Sequence, residues 1–275
     1  MFAGAIAACR KTDGTPFYFE TRDHTLVFLD DFSTMQMRAI DDVEVFYRVN
    51  GFKVSRRGLW SDEPIRQQRL QITRELWKLR GKLRNIYEEL DLDKLTNPVR
   101  IVPFFAKADD VVASLDKHCR ANLQIGSRVF TIPKCPDFAK YLRGGWLEEY
   151  TYSLLEPALA QGSILDLRIG LEVAWPTDDD DGRVFPAQEF DVPFTDGKRL
   201  WIVECKAGRV TNEDFYRLQN SVRTYGGVES RGTLVAALTI GKPVQKRFED
   251  TLNLSWVYGD AVPEELQAIG KVLDV

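Results

Sequence analysis

The feature that most constrains the fold is a pair of short segments that combine the composition of buried strands with charged side chains. They are residues 189–192, EFDV, and residues 200–206, LWIVECK, and both are rich in apolar and β-branched side chains. Residues 195–198, TDGK, lie between them and have the composition of a tight turn. This order of strand, turn and strand predicts a β-hairpin.

The alternation of side chains along a strand predicts where the charges of this hairpin lie. Glu189 and Asp191 share one face of the first strand, and Glu204 and Lys206 share one face of the second. Cys205 points to the opposite, apolar face. The hairpin is therefore predicted to collect three carboxylates and one ammonium group on one side.

A divalent metal ion would explain such a cluster, because neighbouring carboxylates repel each other unless a cation lies between them. Mg²⁺ and Mn²⁺ both prefer oxygen ligands. A lysine beside the metal would orient the attacking water or neutralise charge on a phosphoryl oxygen. The pattern thus indicates phosphodiester chemistry, and the alternative reading is an exposed hairpin with alternating charges.

A family resemblance rests on these residues and on a preceding helix. Asp191 followed by Glu204-Cys205-Lys206 resembles the signature of the PD-(D/E)XK nuclease superfamily, in which an acidic residue on one strand precedes E-x-K on the next. Residues 144–152, GGWLEEYTY, resemble the helix that often adds a glutamate in that superfamily. With the later YGG at residues 225–227, the motifs are most similar to the nuclease domain of CARF-nuclease effectors of type III CRISPR systems. The resemblance covers residues 138–275.

The resemblance implies a set of metal and catalytic residues. Asp191 and Glu204 are expected to bind Mg²⁺ or Mn²⁺, Lys206 to serve the attacking water or the transition state, and Glu189 to support the site. The helix is expected to add one further acid, either Glu148, which is preferred, or Glu149.

The resemblance also implies substrates and partners. The expected activity is metal-dependent endonucleolytic hydrolysis of DNA or RNA, with single strands favoured, by a homodimer that serves as a CRISPR-associated antiviral effector. Arg217 and Arg223 are candidates for binding the phosphate backbone, since phosphate affinity comes from arginine and lysine. The alternative function is a non-catalytic nucleic-acid-binding or dimerisation module whose site is idle.

The order of predicted elements indicates an α/β fold with three regions. Residues 138–275 read as helix, three strands, helix, two strands and helix, which suits a restriction-endonuclease-like mixed sheet flanked by helices. In this region, Pro157 is expected to stop or kink the first helix. Residues 1–60 and residues 61–137 form a smaller mixed α/β N-terminal region, with strands at 16–21, 25–29, 99–105 and 128–132 and helices at 3–9 and 109–120.

The two N-terminal regions also have counterparts in the resembled family. Residues 1–10 and 16–20 resemble the last part of a CARF domain, beginning with the helix that follows its glycine-rich ligand loop. Residues 1–60 are thus expected to be a partial CARF-like segment, and residues 61–137 a winged-helix-like connector. The earlier strands that would form most of a Rossmann-like ligand domain are missing from this sequence. Their absence argues against activation by a cyclic oligoadenylate.

Residues 61–90 have the clearest helical periodicity, with Ile72, Leu76, Leu79 and Leu83 spaced by four and three residues. The same segment carries seven basic residues between positions 64 and 86 against one glutamate. It is expected to pack on its own domain with a solvated basic face. The alternatives are a surface that binds nucleic acid and a helix that pairs with its dimer mate.

Composition adds limits on location and chemistry. The four cysteines have no C-x-x-C spacing, and neither a secretory leader nor a long apolar segment is visible, so we expect a reduced, cytoplasmic protein without a membrane span. Two histidines far apart argue against a zinc site and against histidine-based catalysis. The net charge of −4 argues against a protein that binds nucleic acid over its whole surface. It does not argue against a local binding site, because the clustering of basic residues decides that.

Overall fold

The computed structural model describes residues 17–20, 25–29, 31–57, 63–83, 104–108, 111–116, 118, 120–132, 138–175, 186–227 and 229–272. The chain divides into two compact units, residues 1–40 and residues 41–275. The first unit contains an antiparallel sheet of β1 (Phe17–Glu20), β2 (Thr25–Phe28) and β3 (Thr34–Gln36). The strands predicted at 16–21 and 25–29 are confirmed, and the helix predicted at 3–9 lies outside the described residues.

The centre of the second unit is a five-stranded mixed sheet. Its spatial order is β15 (Leu254–Tyr258), β14 (Arg231–Ala236), β13 (Leu200–Lys206), β12 (Val192–Thr195) and β9 (Asp166–Leu167). The first three of these strands run parallel, and β12 is antiparallel to both of its neighbours. The predicted mixed sheet is therefore confirmed. Residues 192–195 pair with β13, whereas the predicted first strand of the hairpin was residues 189–192.

Helices cover both faces of this sheet because parallel strands need crossover connections. Helix α5 (Asn212–Ser221) connects β13 to β14, and α6 (Lys242–Glu249) connects β14 to β15. On the opposite face, α4 (Trp146–Gln161) and α7 (Val262–Val272) share a buried apolar core with the sheet. Alternation along β13 places Val203 and Cys205 in that core and Glu204 toward α5.

Helix α4 continues a helical segment that begins earlier. A single turn, α3 (Phe138–Lys140), leads into a π-helical turn at Tyr141–Gly145 and then into α4. Of the two predicted effects of Pro157, a stop or a kink, the stop is wrong, since α4 continues to Gln161. Pro157 lies on the exposed side, where water can satisfy the carbonyl that its missing N–H leaves free. The helix ends at Gly162, whose φ of 83° suits a left-handed C-cap.

A second, smaller sheet corrects the predicted first strand of the hairpin. It consists of β11 (Pro186–Phe190), β10 (Leu171–Ala174) and β4 (Lys53–Arg57). The short helix α1 (Val43–Val49) precedes β4 along the chain. Glu189 lies on β11 and pairs with Glu172 of β10, so it belongs to this sheet and not to the hairpin with β13. The backbone changes sheets at Asp191, between β11 and β12.

The region before residue 133 contains an antiparallel meander. Its strands are β5 (Phe104–Ala108), β6 (Val111–Leu115), β7 (Ala121–Ile125) and β8 (Arg128–Ile132). The strand predicted at 128–132 is confirmed, whereas the helix predicted at 109–120 is wrong. Val111 and Val112 favour a strand, and the Asp116 carboxylate accepts hydrogen bonds from the backbone N–H groups of His118 and Arg120, which forms a turn.

Helix α2 (Glu63–Lys78) lies along α4 and buries Leu76 and Trp77 in the core that α4 shares. The expectation that this helix packs within the protein is confirmed. A fully solvated basic face is wrong, because Arg66 and Arg69 are 1% and 2% exposed. Residues 84–90 of the predicted helix lie outside the described residues. Within the described residues, the helices are all too short or too polar to cross a membrane.

Candidate active site

The site begins where β12 and β13 separate. The ladder between these strands ends at the pair Val192 and Val203, so the N–H of Cys205 has no backbone partner on that side. The Asp191 carboxylate takes the place of a strand, since its Oδ2 accepts a hydrogen bond from Cys205 N at 2.7 Å. This bond fixes Asp191 beside the E-x-K segment, which is the proximity that the two motifs predicted.

Glu204 and Lys206 lie on one face of β13, and Cys205 faces the other way, as the strand period predicts. Glu204 is 6% exposed, and its Oε1 is 3.3 Å from the Lys206 Nζ. The same oxygen accepts a hydrogen bond from the guanidinium of Arg217, on α5. The thiol of Cys205 points to Thr151 on α4, with 3.4 Å between the sulfur and oxygen atoms.

The two adjacent glutamates on α4 are separated by their contacts. Glu149 is fully buried and accepts hydrogen bonds from Arg69 Nε at 2.7 Å and from the Thr73 hydroxyl at 3.0 Å. Glu148 is 7% exposed, and its Oε2 is buried without a hydrogen-bond partner among the described residues. Glu148 is therefore the glutamate that faces the carboxylate cluster.

Burial and mutual repulsion of the carboxylates dominate the electrostatics of the site. Burial raises the pKa of Glu148 to about 8, partly offset by Lys140 and reinforced by the Glu189 and Glu204 carboxylates. Burial, followed by the Glu204 and Glu148 carboxylates, raises the pKa of Asp191 well above its ordinary value. Negative charge at this point of the fold is thus costly unless a further cation binds.

Glu189 and its partner Lys140 border this cluster. The Lys140 ammonium donates a hydrogen bond to Glu189 Oε1, and both side chains are half-buried. Burial lowers the pKa of Lys140, but the Glu189 and Glu148 carboxylates outweigh it, so the net pKa is raised. Although Glu189 lies in a different sheet from the one predicted, its charge still acts on Glu148.

The two predicted phosphate-binding arginines differ in position. Arg217 contacts Glu204 and lies 3.9 Å from Asp214 Oδ1, so it belongs to the site. Arg223 is exposed on the π-helical turn Val222–Gly226, and no contact in the described residues connects it to the carboxylates.

Sequence reasoning missed three neighbours of the site: Asp214, Lys140 and Arg69. Asp214 had a readable signal, because Thr211 and Asp214 have the spacing of a capping box at the start of α5. Lys140 and Arg69 had no such signal in the sequence. Lys140 contacts Glu189, which is 49 positions away, and Arg69 contacts Glu149, which is 80 positions away.

The residues present fit a Mg²⁺ or Mn²⁺ ion in part. Among the described residues, no three His, Cys, Asp or Glu side chains are grouped closely enough to form a complete metal site by themselves. Mg²⁺ does not need such a cage, because it commonly binds one or two carboxylates together with waters and substrate phosphates. Asp191 and Glu204 supply two carboxylates, and the unpaired oxygen of Glu148 adds an acceptor nearby.

The E-x-K strand with its upstream aspartate keeps the pattern that resembles the PD-(D/E)XK nuclease signature. Residues 135–254 match the model of the Card1-like endonuclease domain family. The resemblance of this part of the chain to the nuclease domain of CARF effectors is therefore confirmed. No curated protein matches the chain in sequence.

Solved structures share the fold at low sequence identity. Protein VC1899 from Vibrio cholerae has a TM-score of 0.64 and 17% identity, over 98% of this chain and 71% of that one. Can2 from Sulfobacillus thermosulfidooxidans was solved in complex with cyclic tetra-adenylate. It has a TM-score of 0.59 and 17% identity, over 97% of this chain and 71% of that one. At this identity the likeness concerns the fold.

Proposed function

We propose that the protein is a metal-dependent endonuclease that hydrolyses phosphodiester bonds. The observation that carries this proposal is the cluster of Glu148, Asp191 and Glu204, whose mutual repulsion and burial favour an added cation. The endonuclease family match of residues 135–254 supports the same chemistry.

In this proposal Asp191 and Glu204 hold Mg²⁺ or Mn²⁺, and Glu148 and Glu189 support the site through their charge. The bound metal would polarise the phosphate and activate the attacking water. Arg217, which contacts Glu204 in the structure, would move from that carboxylate to a phosphate oxygen of the substrate. Glu149 has no part in the chemistry, because Arg69 and Thr73 occupy both of its oxygens.

Lys206 acts as an ammonium group in this scheme. Burial lowers its pKa, but the Glu204 and Asp214 carboxylates outweigh burial and raise the net pKa above its ordinary value. A lysine that stays protonated donates hydrogen bonds and stabilises negative charge, and it does not abstract a proton. We therefore assign Lys206 to orienting the attacking water and neutralising charge on the phosphoryl oxygens.

Substrate and partners follow from the family resemblance. We propose DNA or RNA as the substrate, with single strands favoured, and a homodimeric CRISPR-associated effector as the context. Can2 was solved with cyclic tetra-adenylate. The experiment therefore includes cyclic tetra-adenylate as a candidate activator.

The test compares wild type with Lys206→Ala and with Lys198→Ala, which removes an exposed lysine from the turn of the same hairpin. Each protein is incubated with labelled single-stranded DNA, single-stranded RNA or supercoiled plasmid, in Mn²⁺, Mg²⁺ or EDTA. Each reaction is run with and without cyclic tetra- and hexa-adenylate. We expect metal-dependent cleavage by wild type and Lys198→Ala, and only a small residual rate by Lys206→Ala.

Two outcomes would overturn parts of this proposal. Undiminished cleavage in EDTA would remove the metal from the mechanism. Salt-dependent binding of nucleic acid without turnover in any condition, by a folded protein, would favour the non-catalytic binding module.

A further inference from the structure

Asp214 has two kinds of contact, one on each carboxylate oxygen. Its Oδ2 accepts hydrogen bonds from the backbone N–H of Thr211 at 2.8 Å and from the Thr211 hydroxyl at 3.0 Å, which closes the first turn of α5. Its Oδ1 lies 3.2 Å from the Nζ of Lys206 and, at a longer 3.9 Å, from the Arg217 guanidinium. One side chain therefore connects the start of α5 to the lysine of the E-x-K strand.

Lys206 lies between two carboxylates, because its Nζ is 3.3 Å from Glu204 Oε1 and 3.2 Å from Asp214 Oδ1. Glu204 is the carboxylate that we assign to the metal, and an oxygen that binds a metal is a weaker partner for an ammonium group. Asp214 is on a separate element and is held by its bonds to Thr211. It is thus the partner that Lys206 would keep when a metal is bound.

We propose that Asp214 is a positioning residue that holds the Lys206 ammonium at the scissile phosphate during cleavage. This inference rests on the proposed nuclease function and adds to it a residue that the sequence motifs do not include. Asp214 acts through Lys206 and touches neither metal nor substrate. Its rigid attachment to Thr211 matters because a misplaced catalytic group costs rate even when binding is intact.

The first variant is Asp214→Asn. An amide oxygen still accepts the hydrogen bond from Thr211, whereas the negative charge beside Lys206 is removed. The second variant is Asp214→Gln, because glutamine is a normal residue at this position of a capping box. The matched control is Glu213→Gln, which removes one negative charge from the same helical turn at an exposed side chain.

We expect both Asp214 variants to lower kcat by about 10- to 100-fold. This is the usual loss when a hydrogen-bonding partner that orients an active-site side chain is removed. KM and the thermal midpoint should stay close to wild type, and Glu213→Gln should match wild type throughout. In a Lys206→Ala background with Mn²⁺, Asp214→Asn should have little further effect on the residual rate, because residues that act as a unit are not additive. Unchanged kcat in both variants, or full additivity with Lys206→Ala, would overturn the proposal.

Crystal structures of Asp214→Asn and Glu213→Gln with Mn²⁺ bound, the state in which Glu204 is occupied by the metal, test the same idea without any cleavage assay. We expect the Lys206 ammonium to leave its position in the first variant and to keep it in the second. A wild-type protein that does not cleave would reject the proposed function, and the crystal structures would still decide whether Asp214 holds Lys206. An undisplaced Lys206 in Asp214→Asn would reject the inference while leaving the nuclease function intact.

Discussion

Glu148 and Glu149 are neighbours on α4, and they have opposite surroundings. Glu149 is enclosed by a guanidinium and a hydroxyl from α2, and both of its oxygens are hydrogen-bonded. Glu148 has one oxygen without a partner in the described residues and faces other carboxylates. We infer that Glu149 stabilises the fold and that Glu148 is available to interact with a ligand.

The comparison separates two regions of the second unit. In the clamp, which we define as Arg69, Thr73 and Glu149, charge is balanced within the protein. In the open cluster, defined as Glu148, Asp191 and Glu204, negative charge exceeds what Lys206 and Arg217 can balance at close range. Changes in the clamp should alter stability, and changes in the open cluster should alter activity.

The largest expected effect is on the open cluster. Asp191→Asn and Glu204→Gln should each reduce cleavage by about a thousandfold or more, equivalent to about 4 kcal/mol or more of transition-state free energy. Asp191→Asn should not destabilise the metal-free protein by a comparable amount, because an amide oxygen can still accept the hydrogen bond from the Cys205 N–H. Steady-state cleavage rates and urea unfolding measure the two effects, and retained cleavage in either variant would break the assignment.

The next largest effect is on the clamp. Arg69→Ala leaves the Glu149 carboxylate buried without its cation, which should cost about 3–4 kcal/mol of unfolding free energy. Because the open cluster is untouched, the metal dependence of any remaining cleavage should stay the same. Urea unfolding measures the loss, and the double variant Arg69→Met with Glu149→Leu should recover most of it. A loss below 1 kcal/mol would mean that the clamp does not support the fold.

A smaller effect is expected from pH. Burial raises the pKa of Glu148 to about 8 in the folded protein, so the folded state binds more protons than the unfolded state between the ordinary glutamate pKa and that value. The free energy of unfolding should therefore fall as pH rises from about 5.5 to 8, by roughly 2–3 kcal/mol. The raised pKa of Asp191 acts in the same direction.

Urea unfolding in EDTA at both pH values measures this dependence. Glu148→Gln should flatten it, whereas Glu213→Gln should not. Adding Mn²⁺ at the higher pH should restore stability, because a bound cation compensates the ionised carboxylates. A stability that rises with pH would contradict the assigned direction.

The smallest effect is expected at a second ion pair between the same two helices. Arg66 contacts Glu156 at 2.6 Å and stacks over the ring of Tyr152 at 4.5 Å, but the Glu156 side chain is 31% exposed. Water can replace this carboxylate, so Glu156→Gln should cost about 1 kcal/mol or less, well below the Arg69→Ala loss. A loss equal to that of Arg69→Ala would remove the distinction between the buried clamp and a partly exposed pair.

Sequence reasoning succeeded where the signal was local. The strands around Glu204 and Lys206 and the helix that carries Glu148 were predicted from short patterns of apolar residues. It failed at residues 109–120, where the two valines and the turn at Asp116 favour strand and turn, and at Pro157, which α4 accommodates. It also placed Glu189 in the hairpin, because no local pattern shows the change of sheet at Asp191.

The sequence by itself determined that Glu204 and Lys206 share one face of β13, because the two-residue period of a strand is a property of neighbouring backbone units. Only the tertiary structure decided which glutamate of α4 faces the site. That choice depends on Arg69 and Thr73, which are 80 and 76 positions away from Glu149 along the chain. It also placed the Asp191 carboxylate on the free N–H of Cys205, because that hydrogen bond exists only where β12 and β13 separate.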